Sequence, residues 1–300
     1  MDIIITGASG FVGTNLSVYL KNKNIESHSL SLRGEWKSKF NPQSDAIIHL
    51  AGKAHDTSNT SEESEYFTVN RDLTIEVFEA FLQSEVKDFF FFSSVKAVAD
   101  SVEGILTEEV VGEPLTPYGR SKLEAEQYLL AKSLPKGKRL FIIRPSMIHG
   151  PGNKGNLNLL YQVVKRGVPW PLAAYHNKRS FLSIDNLCYL IERMLHDKNI
   201  ASGVYNFTDD EPISTNELVK IIAEAIGKKP KLWKIPKALI NSSVKIGDVL
   251  PLPLNSERLK KLTESYVVSN HKIKQVLKLN NLPLSAEKGL RKTIKSFEKN

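Results

Sequence analysis

Cysteine is almost absent from this 300-residue sequence, which contains only Cys188. No disulfide and no cysteine metal centre can form within one chain, and a reducing, cytoplasmic setting is expected. Cys188 sits in the apolar run LCYLIERML, where a thiol reads as a packing residue rather than a nucleophile. Long apolar runs are also missing. None approaches the roughly 20 residues that cross a bilayer, so no membrane span is expected. The opening MDIIITGASG lacks the basic stretch and small-residue cleavage site of a secretion signal. Repeats, low-complexity tracts, metal-ligand clusters and nucleic-acid modules are not found either. With 41% apolar and 25% charged residues the composition is that of a globular chain and excludes disorder.

One sign of charge is in excess. The net charge of +8 would draw an anionic ligand, but lysines alternating with glutamates along the C-terminal helices read as a solvated surface that accounts for most of it.

Short apolar runs alternate with helical patterns from the start. IIIT (3–6), a weak run near 26–32, DAIIHLA (45–51), DFFFFSS (88–94) and RLFIIRP (139–145) read as strands, and 70–84 and 117–131 as helices. Continuous rather than alternating apolar strands fit a parallel sheet covered on both faces. The expectation is an α/β, Rossmann-type doubly wound sheet with a smaller, interleaved C-terminal lobe. Residues 1–145 would bind a dinucleotide and 146–300, rich in Gly and Pro loops, would mainly bind substrate, with 180–208 returning to the first unit. The helix at 70–84 is apolar on more than one stripe, which points either to a homodimer through it and the helix at 117–131 or to cover by a loop.

Gly7, Gly10 and Gly13 in TGASGFVG lie between the first strand and the first helix. Glycines there let the chain turn and let a pyrophosphate reach the backbone at a helix N-terminus. The spacing is GxxGxxG; its position, after a strand and before an amphipathic helix, gives it weight. The second strand ends SLSLRGEW, with no acid before Arg33 to bind ribose hydroxyls. Arg33 could instead hold a 2′-phosphate, which favours NADP(H) over NAD(H).

Tyr118 and Lys122 stand four residues apart in TPYGRSK, after a Thr116 cap and Pro117 at the first helical position, so they share a helix face. A nearby ammonium together with an oxidised nicotinamide ring favours the phenolate, making Tyr118 an acid or base toward a sugar hydroxyl or ketone. Lys122 would also hold the nicotinamide ribose. Ser94, at the carboxyl end of FFFFSS, could hydrogen-bond the reacting oxygen.

With these motifs in place the chain resembles the extended short-chain dehydrogenases/reductases, in the branch of NAD-dependent epimerases and dehydratases, over nearly its whole length. TGASGFVG is similar to that family's cofactor loop, which adds Ser9, Phe11 and Val12 as cofactor contacts. DAIIHLAG and VNRDLT imply Leu50, Ala51, Gly52 and Asn70 near the cofactor, and RPSMIHGPGNKGNL implies Pro145 beside the nicotinamide and Asn156 and Leu157 beside a nucleotide sugar. RSFLSIDNL implies Arg179 at the substrate phosphates, with Arg258 as a second contact. Met147 departs from the family, in which many members carry Asn there to bind substrate. His149 reads as a loop or supporting residue and His49 as part of the strand motif.

The resemblance also bears on the reaction. Dehydratases of the family carry an acid beside the catalytic Ser or Thr; here Val95 follows Ser94, and valine cannot protonate a leaving hydroxyl. What remains is 4-keto reduction of a UDP-linked sugar, placed first because a missing ribose acid suits an exchanging NADPH, or 4-epimerisation. Ser-Ser-Val-Lys is similar to reductases and epimerase-like proteins of bacterial surface-polysaccharide pathways. Lys96 either contacts substrate or is an exposed loop lysine. A third reading, a dinucleotide-sensing regulator, sits poorly with an intact Tyr–Lys pair.

Overall fold

The structure, a computed structural model, describes residues 1–53, 62–153, 155–249 and 255–298. In chain order its elements are β1 (Asp2–Thr6), α1 (Phe11–Asn22), β2 (Glu26–Leu30), β3 (Ala46–His49), α2 (Glu63–Phe67), α3 (Leu73–Leu82), β4 (Asp88–Phe92), β5 (Ile105–Leu106), α4 (Pro117–Leu130), β6 (Arg139–Pro145) and β7 (Met147–His149). These are followed by α5 (Asn156–Lys165), β8 (Phe181–Ser183), α6 (Ile184–His196), β9 (Gly203–Phe207), α7 (Thr215–Ala225), α8 (Lys237–Val249), α9 (Ser256–Thr263), β10 (Val267–Val268), α10 (His271–Val276) and α11 (Ala286–Ser296).

Six strands form one parallel sheet in the order β2-β1-β3-β4-β6-β9. Its apolar strands are buried on both faces, and their alternation sorts the side chains into two cores. Ile3, Ile5, Ile48, Phe90, Phe92, Phe141 and Ile143 face α1 and α6, where Leu16, Leu20, Leu187 and Ile191 meet them. Ile4, Ile47, Phe89, Phe91 and Ile142 face α3 and α4, where they meet Val77, Phe78, Phe81, Ala125 and Leu129. The strand runs predicted at 3–6, 45–51, 88–94 and 139–145 therefore appear as β1, β3, β4 and β6, and the weak run near 26–32 as the edge strand β2.

The helix expected over 70–84 differs. Helical structure already begins at Glu63 and passes through a π-helical stretch at Thr68–Asp72 before α3. In α2 only Tyr66 is buried, so this part carries no apolar stripe for periodicity to reveal. Within the chain Val77, Phe78 and Phe81 of α3 lie in the core shared with α4 and Leu82 packs against it, while Leu73 is half-buried.

A separate core gathers α5, α7, α8, α9 and α11 around Tyr161, Trp170, Ile222, Ile240, Leu259 and Leu290. The chain passes back and forth between the cores. Leu182, Leu187, Ile191 and Leu195 pack on the sheet's first core before β9 joins its edge, and Ile273, Leu277 and Leu282 return there from the C-terminal segment. That second return had no counterpart in the sequence reading.

Candidate active site

The site follows from strand order. The chain leaves β1 for β2 on one side and then crosses to β3 on the other, so a crevice opens beyond the carboxyl ends of β1 and β3. Gly7 ends β1 with φ +68°, and a Cβ on it would stand 2.7 Å from the Ala51 nitrogen. A Cβ on Gly13 would stand 2.5 Å from the Gly7 oxygen, so α1 lies directly on the loop. Gly10 is different: the nearest atom to its added Cβ is the Gly7 oxygen at 3.2 Å. It caps α1 without a side-chain hydrogen bond, and no acid occupies the first turn. The N–H groups of Phe11 and Val12 thus end a helix whose positive pole is uncapped, which fits a pyrophosphate. Arg33 lies just past β2 and is exposed, with no ion pair among the described residues.

Polar groups under the crevice hold its floor. His49 is fully buried between two hydroxyls, Nδ1 at 2.8 Å from Thr6 Oγ1 and Nε2 at 2.9 Å from Thr74 Oγ1. Burial, with help from the Lys122 charge, lowers its pKa to about 3, so the ring is neutral and structural. Thr6 Oγ1 also accepts from the Ala51 nitrogen at 3.2 Å, which sets the Leu50–Ala51–Gly52 turn. The Asn70 amide borders the Gly52 turn: Oδ1 accepts from the Lys53 nitrogen at 2.8 Å and would lie 3.0 Å from a Cβ on Gly52, and Nδ2 donates to Lys53 O and Ser121 Oγ, each at 3.1 Å. It joins the π-helical stretch, the β3 turn and α4.

Tyr118 and Lys122 project from the start of α4, where Thr116 Oγ1 accepts from the Gly119 nitrogen and Pro117 fills the first turn as expected. The Tyr118 phenol is hydrogen-bonded to Ser94, and the Tyr66 ring stands edge-on at 6.2 Å. Lys122 is buried; its Nζ donates to Phe92 O at 2.9 Å and would lie 3.2 Å from a Cβ on Gly52. Burial lowers its pKa to about 8, against the pull of Glu126. Among the protein's own groups burial raises the Tyr118 pKa, the hydrogen bond with Ser94 opposes this, and the neighbouring Tyr66 adds to the rise.

Sequence reasoning missed what stands behind this pair. Glu126, one further turn along α4, is buried and accepts from Ser93 Oγ and from Arg144 Nε at 3.0 and 3.1 Å. The signal was the four-residue step from Tyr118 to Lys122 to Glu126. Tyr66 was legible the same way, one turn before Asn70. Pro145 ends β6 beside them, buried and paired with Phe207 of β9.

The residues expected at the substrate divide. Lys96 follows the Ser94 cap and is half-buried, Nζ at 2.7 Å from Asp100 O and 4.6 Å from the centre of the Tyr266 ring, so it is not an exposed loop lysine. Burial lowers its pKa, opposed first by Asp100 and Glu264, while the Arg179 charge adds to the lowering. Arg179 thus lies near Lys96; its Nη2 donates to Lys261 O at 2.6 Å. Arg258 lies on α9, its backbone nitrogen donating to Asn255 at 2.9 Å. The Leu157 side chain is buried in the second core. Asn156 opens α5, and its side chain lies outside the described residues. Met147 is exposed on β7. His149, fully buried, has Nδ1 at 2.9 Å from Thr293 Oγ1 of α11 and ties that helix to β7. Cys188 is buried, its thiol pushed up to about 12, and so is inert.

A doubly wound sheet with an uncapped glycine loop at its switch point and a Ser–Tyr–Lys group on the same edge defines a site of the extended short-chain dehydrogenase/reductase type. The chain belongs to the NAD dependent epimerase/dehydratase family, whose model matches residues 3–207. It is 32% identical over 261 residues to a UDP-glucose 4-epimerase of Vibrio cholerae, covering 78% of each chain. It is 29% identical to the N-acetyl-alpha-D-glucosaminyl-diphospho-ditrans,octacis-undecaprenol 4-epimerase of Escherichia coli O157:H7, covering 79% of this chain and 76% of that one. A GDP-6-deoxy-D-mannose reductase of Pseudomonas aeruginosa is 25% identical, with 74% and 79% covered. The fold is shared with the solved structure of MoeE5 in complex with UDP-glucose and NAD, at a TM-score of 0.77 and 21% identity over 100% of this chain and 99% of that one. Among the described residues no helix is long and apolar enough to cross a membrane, and no group of His, Cys, Asp and Glu could hold a metal ion.

Proposed function

We propose that this enzyme moves a hydride at C4 of a sugar linked through a diphosphate to a nucleotide, first of all a UDP sugar, and that it reduces a 4-keto group with NADP(H). The bound nicotinamide supplies the hydride. Tyr118 supplies the proton to the oxygen formed at C4, and Ser94, hydrogen-bonded to it, aligns that oxygen. Lys122, held by Phe92 O at the edge of Gly52, is placed for the nicotinamide ribose. Ser9, Leu50, Ala51 and Pro145 line the remainder of the cofactor crevice. Lys96 and Arg179 are the cations offered to the substrate, whose pocket lies mainly within the lobe after residue 145, apart from 180–208.

The observation that carries the proposal is the Ser94–Tyr118 hydrogen bond at the sheet's carboxyl edge with Val95, rather than an acid, beside it. This supports hydride transfer without elimination. Reduction is placed first because no carboxylate stands between the end of β2 and Arg33 to retain NAD through a catalytic cycle. A second reading, 4-epimerisation, is favoured by the names of the two relatives with 32% and 29% identity.

One assay separates them. The purified chain is given NADPH and a UDP-4-keto sugar, and in parallel each of a pair of UDP-sugar 4-epimers. Stoichiometric loss of NADPH supports reduction. Interconversion of epimers without net loss overturns it in favour of the epimerase. Silence in both with tight dinucleotide binding would make the chain a sensor.

A further inference from the structure

One stretch of the chain carries positive charge without any negative charge. Residues 225–247 hold six lysines (Lys228, Lys229, Lys231, Lys234, Lys237 and Lys245) and no Asp or Glu, in a chain whose net charge is +8. None of the six has an acidic partner among the described residues. Elsewhere among the described residues, unpaired lysines such as Lys21 and Lys278 are interspersed with paired ones: Lys23, Lys53, Lys132, Lys198, Lys274 and Lys292 each meet a carboxylate.

Local structure puts this stretch on the outside together with apolar groups. Lys231–Lys234 is extended and bonded to the chain around Trp170: the Trp170 nitrogen donates to Lys231 O at 2.8 Å and the Trp233 nitrogen to Trp170 O at 2.9 Å. Side chains alternate along an extended segment. Leu232 turns into the second core, so Lys231 and Trp233 turn outward. Trp233 is 56% exposed and Val168, on the neighbouring turn, 51%. Lys231 Nζ donates to Gly167 O at 3.1 Å, and Lys228 Nζ donates to Lys165 O, which joins the two segments into one face. Between them lies a shallow hollow of about 240 Å³ lined by Val164, Val168, Val219, Lys228, Lys229 and Lys231.

We propose that this face docks reversibly on an anionic lipid bilayer, with Trp233 and Val168 in the headgroup layer and the lysines on the lipid phosphates. Charge complementarity selects the partner, because unpaired lysines surround the apolar groups and bring no carboxylates that a negative surface would repel. Indole settles at the boundary between headgroup and acyl chain, and each basic residue near an anionic surface strengthens binding about fivefold. Nucleic-acid phosphates would engage the lysines but leave Val168 without a role. The face belongs to the second core and shares no residue with the Tyr118 site, so the proposal stands apart from the reaction assigned to that site.

Co-sedimentation of the full chain with vesicles of phosphatidylcholine, with and without about one-third phosphatidylglycerol, tests it. Saturable binding to the anionic vesicles alone, weakened by salt, is expected. Trp233 is the one exposed tryptophan, Trp36 and Trp170 being buried, so its fluorescence should shift to the blue on binding. The triple variant Lys229→Gln/Lys231→Gln/Lys234→Gln should bind roughly 100-fold more weakly at unchanged turnover. Failure of the folded wild-type chain to bind anionic vesicles at low salt overturns the proposal. So does binding that the triple variant retains, or binding to a DNA duplex as tight as to the vesicles.

Discussion

Lys122 Nζ donates to the main-chain oxygen of Phe92 at 2.9 Å, at the end of the strand that leads to Ser94. Lys122 is thus anchored to the strand that delivers Ser94. Burial of this ammonium is what lowers its pKa to about 8.

That burial has a measurable sign. A lysine whose pKa falls on folding binds protons more readily when unfolded, so stability is regained as pH rises from about 8 to the unfolded value of 10.5. Lys122→Met removes the group. Measured by denaturant unfolding, the stability of the wild-type chain relative to this variant should improve across that window, by up to about 3 kcal/mol. A difference independent of pH would show an ordinary lysine.

Tyr118→Phe keeps the ring and removes the proton. Turnover should fall by roughly 10²–10⁴ while dinucleotide affinity is unchanged, as read from steady-state rates and calorimetric titration of the same preparation. Full turnover would remove Tyr118 from the mechanism.

His49 links folding to acid. Its pKa is depressed to about 3, so the stability it supports is present above pH 6.5 and is lost as pH falls below it. At about pH 4.5 the loss should approach 3 kcal/mol. His49→Asn should be less stable than the wild-type chain at neutral pH, and this gap should narrow on acidification; a constant gap would mean that His49 does not titrate with folding.

The three glycines should not respond alike. Gly7→Ala puts a Cβ 2.7 Å from the Ala51 nitrogen on a backbone with φ +68°, and should cost at least about 2 kcal/mol. Gly10→Ala meets its nearest atom at 3.2 Å and should cost about 1 kcal/mol or less while weakening dinucleotide binding. Melting temperatures and dinucleotide titrations of the two variants make the comparison, and equal destabilisation would contradict it.

Arg33→Ala should weaken NADP(H) binding by about 10–100-fold, the range of one or two charge-assisted hydrogen bonds, and leave NAD(H) nearly unchanged. Equal loss for both cofactors, read by calorimetry, would make Arg33 a bystander.

The strands and helices of the sheet, the glycine turn and the Tyr118–Lys122 spacing are all short-range properties of the chain. An apolar run of four to seven residues, a four-residue step on a helix and a glycine between strand and helix each act within about ten positions, so the order of residues alone determines them. Contacts between distant parts are another matter. Tertiary structure alone sandwiches His49 between Thr6 and Thr74, turns Lys96 onto Tyr266, ties the amide of Asn70 to Lys53 and Ser121, and buries Leu157. It also decides that the Lys122 ammonium donates to the Phe92 carbonyl, because burial demands a hydrogen-bond partner for a charged group.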